Sequence, residues 1–126
     1  MGVVKPGAIQ QRFLSWQLTH AEQFTQSLVL RASQPINPEH LQQALQALVI
    51  HHDMLRATVG DSIVIRPTTD GNLFAFKEMT LSGQTDVAHD IAEISISEGQ
   101  QIDLERGPIL RTVLMHAADG DRLLMV

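Results

Sequence analysis

His51, His52 and Asp53 stand consecutively in the segment LVIHHDMLRAT, residues 48–58, with Arg56 three positions further on. Two imidazoles beside a carboxylate are the groups that general acid–base catalysis or a metal site draws on. Adjacent residues on a helix lie about 100° apart, so His51 and His52 do not converge on one ligand as an i, i+4 pair does. A metal site also needs further ligands, and the chain has neither an HExxH nor a His-x-His spacing. Helix geometry therefore favours a neutral, hydrogen-bonded core histidine at position 52 and a solvated one at 51. Arg56 has two readings. One is a surface pair with Asp53 worth about 0.2–0.5 kcal/mol; the other is a more buried fork that grips a carboxylate from another segment.

Other reactive constellations are missing. The 126 residues contain no cysteine, which excludes disulfides, thiolate metal sites and cysteine nucleophiles. There is no GxSxG, and Ser95 and Ser97 fall in an ordinary helical pattern. No glycine-rich phosphate loop occurs; GDS and DGN read as turns. His20, His40, His89 and His116 are isolated and read as surface residues, while Trp16 with Phe13 reads as core. The net charge is −5 and the nine Lys and Arg are scattered, which argues against a nucleic-acid partner. No run approaches the roughly 20 apolar residues of a bilayer span. Met1 to Gln10 also lacks the apolar stretch of a signal peptide. The expectation is one cytoplasmic domain with no membrane contact.

The elements that position these residues follow from pattern. Ala8–Leu18 carries Ile9, Phe13 and Trp16 at helical spacing, and Thr25–Ser33 reads as a largely buried strand around Leu28, Val29 and Leu30. The strongest helix signal begins at Asn37, a capping residue, followed by Pro38 at the first helical position and Glu39 against the dipole. Its apolar stripe is Leu41, Ala44, Leu45, Leu48, His52 and Leu55. SIVIRP (62–67) reads as a strand with NLFAFKEM (72–79) as its hairpin partner. Thr85 or Asp86 caps a third helix with Val87, Ile91, Ile94 and Glu98 along one side, ended by Gly99. Residues 107–126 read as strand, Asp119-Gly120 turn and strand. The order α, β, α, β, β, α, β, β implies an α/β fold with a mixed sheet. RLLMV runs straight to Val126 without a turn or polar tail, which suggests the front part of something longer.

Three segments together resemble the opening half of the condensation-domain superfamily of nonribosomal peptide synthetases. AIQQRF (8–13) is similar to its first core motif. HHDMLRAT (51–58) is similar to its second, Arg-His-Glu-x-Leu-Arg-Thr: His52, Leu55 and Arg56 agree, and Asp53 replaces Glu. His51 stands for Arg and Ala57 for Thr. IDLERGPILR (102–111) and the hairpin after it resemble the family's Asp-Leu-x-x-Gly-Pro-Leu-Leu-Arg stretch.

The resemblance implies residues 1–126 as the N-terminal lobe of a chloramphenicol-acetyltransferase-like fold, cut off before the active-site motif His-His-x-x-x-Asp-Gly. HHDMLRA is not that motif, since Arg56 and Ala57 stand where it needs Asp and Gly. The chain then holds no catalytic residue of its own. Arg56, expected to pair with the motif's aspartate, and His52 support the site structurally; with that aspartate absent, Arg56 is solvated, rearranged or matched by another carboxylate. The parent domain condenses or epimerizes aminoacyl or peptidyl thioesters. It binds no cofactor or metal itself, because its substrates ride on the phosphopantetheine arms of peptidyl carrier proteins. FTQS (24–27) and HHD are closer to the epimerizing branch. Expected partners are a carrier protein, the rest of the synthetase and a second copy through the exposed sheet edge. The alternative is a complete, non-catalytic module that docks a carrier or partner protein.

Overall fold

A computed structural model of the chain describes residues 2–5, 11–12, 25–84 and 86–126. Gln11 and Arg12 are helical; the other residues of the helix expected over Ala8–Leu18, Phe13 and Trp16 among them, lie outside the described residues, as do His20 and Phe24. No helix among those residues is long and apolar enough to cross a membrane.

Among the described residues, seven strands form two sheets. The smaller holds β1 (Gly2–Val4), β4 (Ile63–Ile65) and β3 (Ala57–Val59), all antiparallel with β4 in the middle. The larger has the order β2 (Leu28–Arg31), β7 (Gly120–Met125), β6 (Arg111–Ala117), β5 (Ala75–Thr80). It is mixed, because β5 and β6 are parallel while the other pairs are antiparallel. The helices α1 (Pro38–His51) and α2 (Val87–Gly99) pack with these sheets in an α/β fold, and α2 is the crossover that parallel β5 and β6 require.

Local chemistry sets most boundaries. The Asn37 side chain accepts from the Glu39 and His40 amides at 2.9 and 3.1 Å, and Pro38 occupies the first turn. Asp86 caps α2 through the Ala88 amide at 3.3 Å. Between β6 and β7 the central turn residues are Ala118 and Asp119. Gly120 pairs with Ala117 and holds φ at 126°, a value that side chains rarely tolerate.

Val113, Leu114 and Met115 on β6 are each 0% exposed, so the central strand is covered on both faces. Val113, Met115, Leu124, Val126 and Ile102 form one cluster, against which Ile91 and Ile94 of α2 pack. Val49 of α1 packs with Leu73, Leu110 and Met125. Ala57, Ile63 and Ile65 make the core of the small sheet.

Four expectations are corrected. The partner of SIVIRP is β3, across the Gly60-Asp61-Ser62 turn, not NLFAFKEM. The segment between β4 and β5 is instead gathered by Arg66, which donates to Asp70 and to the carbonyls of Gly71 and Asn72; β5 then crosses to the larger sheet. The strand around Leu28–Leu30 is not buried: these residues are 54%, 41% and 47% exposed, because β2 is an edge strand bonded only to β7. His52 is exposed rather than core, since α1 stops at His51 and the helical stripe does not extend to it. His116, expected at the surface alone, is half-buried with two carboxylate partners.

Candidate functional site

Arg56 is the centre around which the chain turns from α1 into the small sheet. After α1 the His52 amide still bonds the Leu48 carbonyl at 3.0 Å, and then His52 swings to φ −103°, ψ 99°. One 3-10 turn, Asp53–Arg56, follows and delivers Arg56 to the buried side, 5% exposed. Its Nη1 donates to the Val49 and Ile50 carbonyls at 2.6 and 2.7 Å, and its Nε to the Arg66 carbonyl at 3.0 Å. Nη2 donates to Asp53 Oδ1 at 2.8 Å. The guanidinium thus takes the place of the backbone amides that would have continued α1, and it puts a cation at the negative end of the helix dipole. Of the two readings of Arg56, both hold in part: the carboxylate is Asp53, 72% exposed, and the arginine itself is buried.

His51 and His52 stand outside this node. Their rings lie edge to face, 4.8 Å apart at 90°, and both residues are exposed. Among the described residues, no group of three or more His, Cys, Asp or Glu side chains is placed to hold a metal ion. The adjacent imidazoles are a solvated helix end.

Two clusters escaped sequence reading. The first joins His116 to Asp121, Nδ1 to Oδ1 at 2.8 Å, and to Glu78, Nε2 to Oε1 at 3.3 Å. His116 and Asp121 face each other directly across β6 and β7. Asp121 Oδ2 accepts from the Ile36 amide at 2.8 Å, and the Asp121 carbonyl from the Ala32 amide at 3.0 Å, which fastens the segment leading into α1. The hydrogen bond with Asp121 raises the His116 pKa, opposed by desolvation and helped by Glu78. The Ile36 amide and then His116 lower that of Asp121. The observed two-residue turn at 118–119 sets 116 opposite 121, whereas the expected Asp119-Gly120 turn would have set 118 there, a register off by one residue on each side.

A raised histidine pKa stabilises the fold while the ring is charged, and that contribution is lost as pH rises through the folded-state value. His116→Asn is therefore expected to cost more stability near pH 5.5 than near pH 8.5 in urea unfolding. An equal cost at both values would mean that only the neutral hydrogen bonds matter.

The second cluster surrounds Glu98, 2% exposed. Burial opposes its ionisation, but hydrogen bonds from Lys77 and Arg111 prevail and hold its pKa below the ordinary glutamate value. Lys77 Nζ lies 2.6 Å from Oε1 and Arg111 Nε 2.7 Å from Oε2. The signal was present in sequence: Glu98 sits on the stripe of Val87, Ile91 and Ile94, where a charge must find partners. A cavity of about 300 Å³ beside α2 is lined by Thr25, Ser27, Ser95, Ile96, Gly99 and Gln100. It offers hydroxyls, two of which bond each other at 2.5 Å, and no acid or base.

The arrangement is a scaffold with supporting charges and no assembled acid–base centre among the described residues. The chain is 31% identical over 121 residues to gramicidin S synthase 1 of Brevibacillus brevis, covering 93% of this chain and 11% of that one. It is 26% identical over 121 residues to tyrocidine synthase 1 of Brevibacillus parabrevis, covering 93% and 11%. In structure it superposes on the epimerization domain from the third module of tyrocidine synthetase B with a TM-score of 0.89 at 29% identity, over 98% of this chain and 29% of that one. The starter condensation domain of rhizomide synthetase shares the fold, at a TM-score of 0.72 and 19% identity, over 99% and 33%. These parents carry the chloramphenicol-acetyltransferase-like fold. The chain spans a small part of each relative, yet the Condensation domain family model matches residues 3–126, and with the mixed sheet and its crossover helix in place the chain belongs to that family.

Proposed function

We propose that these residues form the N-terminal lobe of a domain that epimerizes a peptidyl or aminoacyl thioester held on a carrier protein. The observation that carries this reading is the superposition on an epimerization domain at 29% identity and a TM-score of 0.89. The reaction removes the α-proton of the thioester and returns one to the opposite face. The adjacent histidines His51 and His52 project into solvent, and the resemblance to the condensation superfamily implies a base from a His-His-x-x-x-Asp-Gly motif following Val126. Arg56 supports that site from behind. Four of its five N–H groups are engaged, and the remaining Nη2 N–H is the donor open to an incoming aspartate beside Asp53. Substrates arrive on phosphopantetheine arms, the partners are the carrier and the rest of the synthetase, and the setting is the cytoplasm.

The test is to extend the chain with the residues its gene encodes next and incubate it in D₂O with a carrier loaded with a peptidyl thioester. Deuterium at the α-carbon, with appearance of the D-epimer, is expected. Amide formation without exchange assigns condensation instead. Neither outcome from a protein with the intact motif would sink the enzyme reading, and a stop codon after 126 would favour the docking module.

By itself the 126-residue chain is expected to self-associate through the exposed apolar edge strand β2. Light scattering checks this. Val29→Lys should shift the sample toward monomer, and a stable wild-type monomer at high concentration counts against edge pairing.

A further inference from the structure

Glu98 is the deepest-set charged group of α2, whose only fully buried residues are Glu98 and Gly99. A clip between helix and sheet would need one cation, yet Glu98 engages two that differ in what they hold. Lys77 lies on β5, and its side chain is 43% exposed. Arg111 is the first residue of β6, its side chain 12% exposed, and its Nη2 also donates to Gln101 Oε1 at 3.1 Å. Its backbone makes a reciprocal pair with Val126: the Arg111 amide donates to the Val126 carbonyl at 3.0 Å and the Val126 amide donates back at 2.8 Å. The same helix end lies beside Val126: a Cβ on Gly99 would meet Val126 Cγ1 at 3.9 Å, an ordinary van der Waals distance. The Glu98 carboxylate, Arg111 and Val126 are therefore one rigid connection from α2 to the end of β7.

We infer that Glu98 and Arg111 are a positioning pair that fixes the direction in which the backbone leaves Val126, and with it the placement of the base beyond. This rests on the proposed function, which puts the reacting imidazole in the residues that follow. Neither side chain touches substrate. The geometry matters because a displacement of about 1 Å at a reacting group costs on the order of a hundredfold in rate.

The extended protein separates positioning from stability, because Lys77 and Arg111 serve the same carboxylate but only Arg111 holds Val126. Arg111→Gln, Arg111→Lys and Lys77→Met are compared by kcat and KM for α-proton exchange on the loaded carrier, with melting temperatures measured alongside. Arg111→Gln is expected to lower kcat about tenfold to a hundredfold with KM within twofold, and Arg111→Lys to recover part of the loss. Lys77→Met should leave kcat within twofold even where its melting temperature falls as far. Hydrogen exchange at the Val126 amide should quicken in Arg111→Gln alone. If Lys77→Met and Arg111→Gln lower kcat alike, or Arg111→Gln leaves it unchanged, the positioning role is overturned. A parent protein without activity overturns the functional reading, and this inference with it.

Discussion

Arg56→Ala is expected to destabilise the chain by about 3–5 kcal/mol, the usual cost of deleting a buried charged hub. The loss comes mainly from the backbone. Val49, Ile50 and Arg66 carbonyls would each lose a charge-assisted donor near 3 Å or closer, and a buried acceptor left without one costs about 1–3 kcal/mol. Water admitted to the vacated space recovers part of that, which keeps the total below the simple sum. Asp53 contributes little, because it is 72% exposed and its pair with Arg56 is screened on one side. Asp53→Ala should therefore cost less than about 1 kcal/mol. Arg56→Lys should fall between, since an ammonium cannot reach three carbonyls in different directions as a planar fork does. Urea unfolding of the three variants decides the matter. If Asp53→Ala costs as much as Arg56→Ala, the ion pair and not the helix-end carbonyls is what holds this corner.

The same residue explains where sequence reading succeeded and where it failed. The start of α1 was legible, because Asn37 and Pro38 act on amides two and three positions away. Its end was not. No glycine or proline stops the pattern after His51, and apolar periodicity continues through His52 and Leu55. What stops it is a guanidinium supplied by Arg56, which consumes the Val49 and Ile50 carbonyls from the far side of a 3-10 turn. That misplaced His52 from solvent to core; Ala44 on the same expected stripe is exposed too, and Val49 beside it is buried. Strand pairing shows the same limit. The β6–β7 hairpin was readable from its turn, though the turn falls one residue earlier than Asp119-Gly120, whereas β5 pairs in parallel with β6 across the whole of α2, a contact that no local pattern encodes. The three-residue strands β1 and β3 are too short to show alternation, and β3 is the true partner of β4. The family motifs identified the order of these parts independently of any of this. They did not reveal the His116 cluster, because its members come together only once the register is set.

Glu98→Gln is the second large effect, and its pH dependence carries the argument. At neutral pH the wild-type carboxylate neutralises two cations at 2.6 and 2.7 Å. The amide keeps the shape and removes the charge, leaving Arg111 enclosed without compensation. A loss of about 3 kcal/mol is expected, at the low end for breaking a buried pair because Lys77 can turn to water. The Glu98 pKa is lowered in the fold, so its contribution is present above the ordinary glutamate value near 4.3 and is lost as pH falls toward the folded-state value. The gap between wild type and Glu98→Gln should stay constant from pH 7 to 5 and narrow below about pH 4. A gap that widens on acidification would mean that the buried carboxylate is already protonated at neutral pH. Replacing both charges together, Glu98→Met with Arg111→Met, should restore much of the stability, since apolar pairs often match a buried ion pair in energy. What the apolar pair lacks is the directed Nε and Nη2 contacts that fix Arg111 against α2. Recovered stability with a loosened Val126 amide would show that the charges contribute orientation more than energy, which is the reason a fold keeps a costly carboxylate on the buried face of α2.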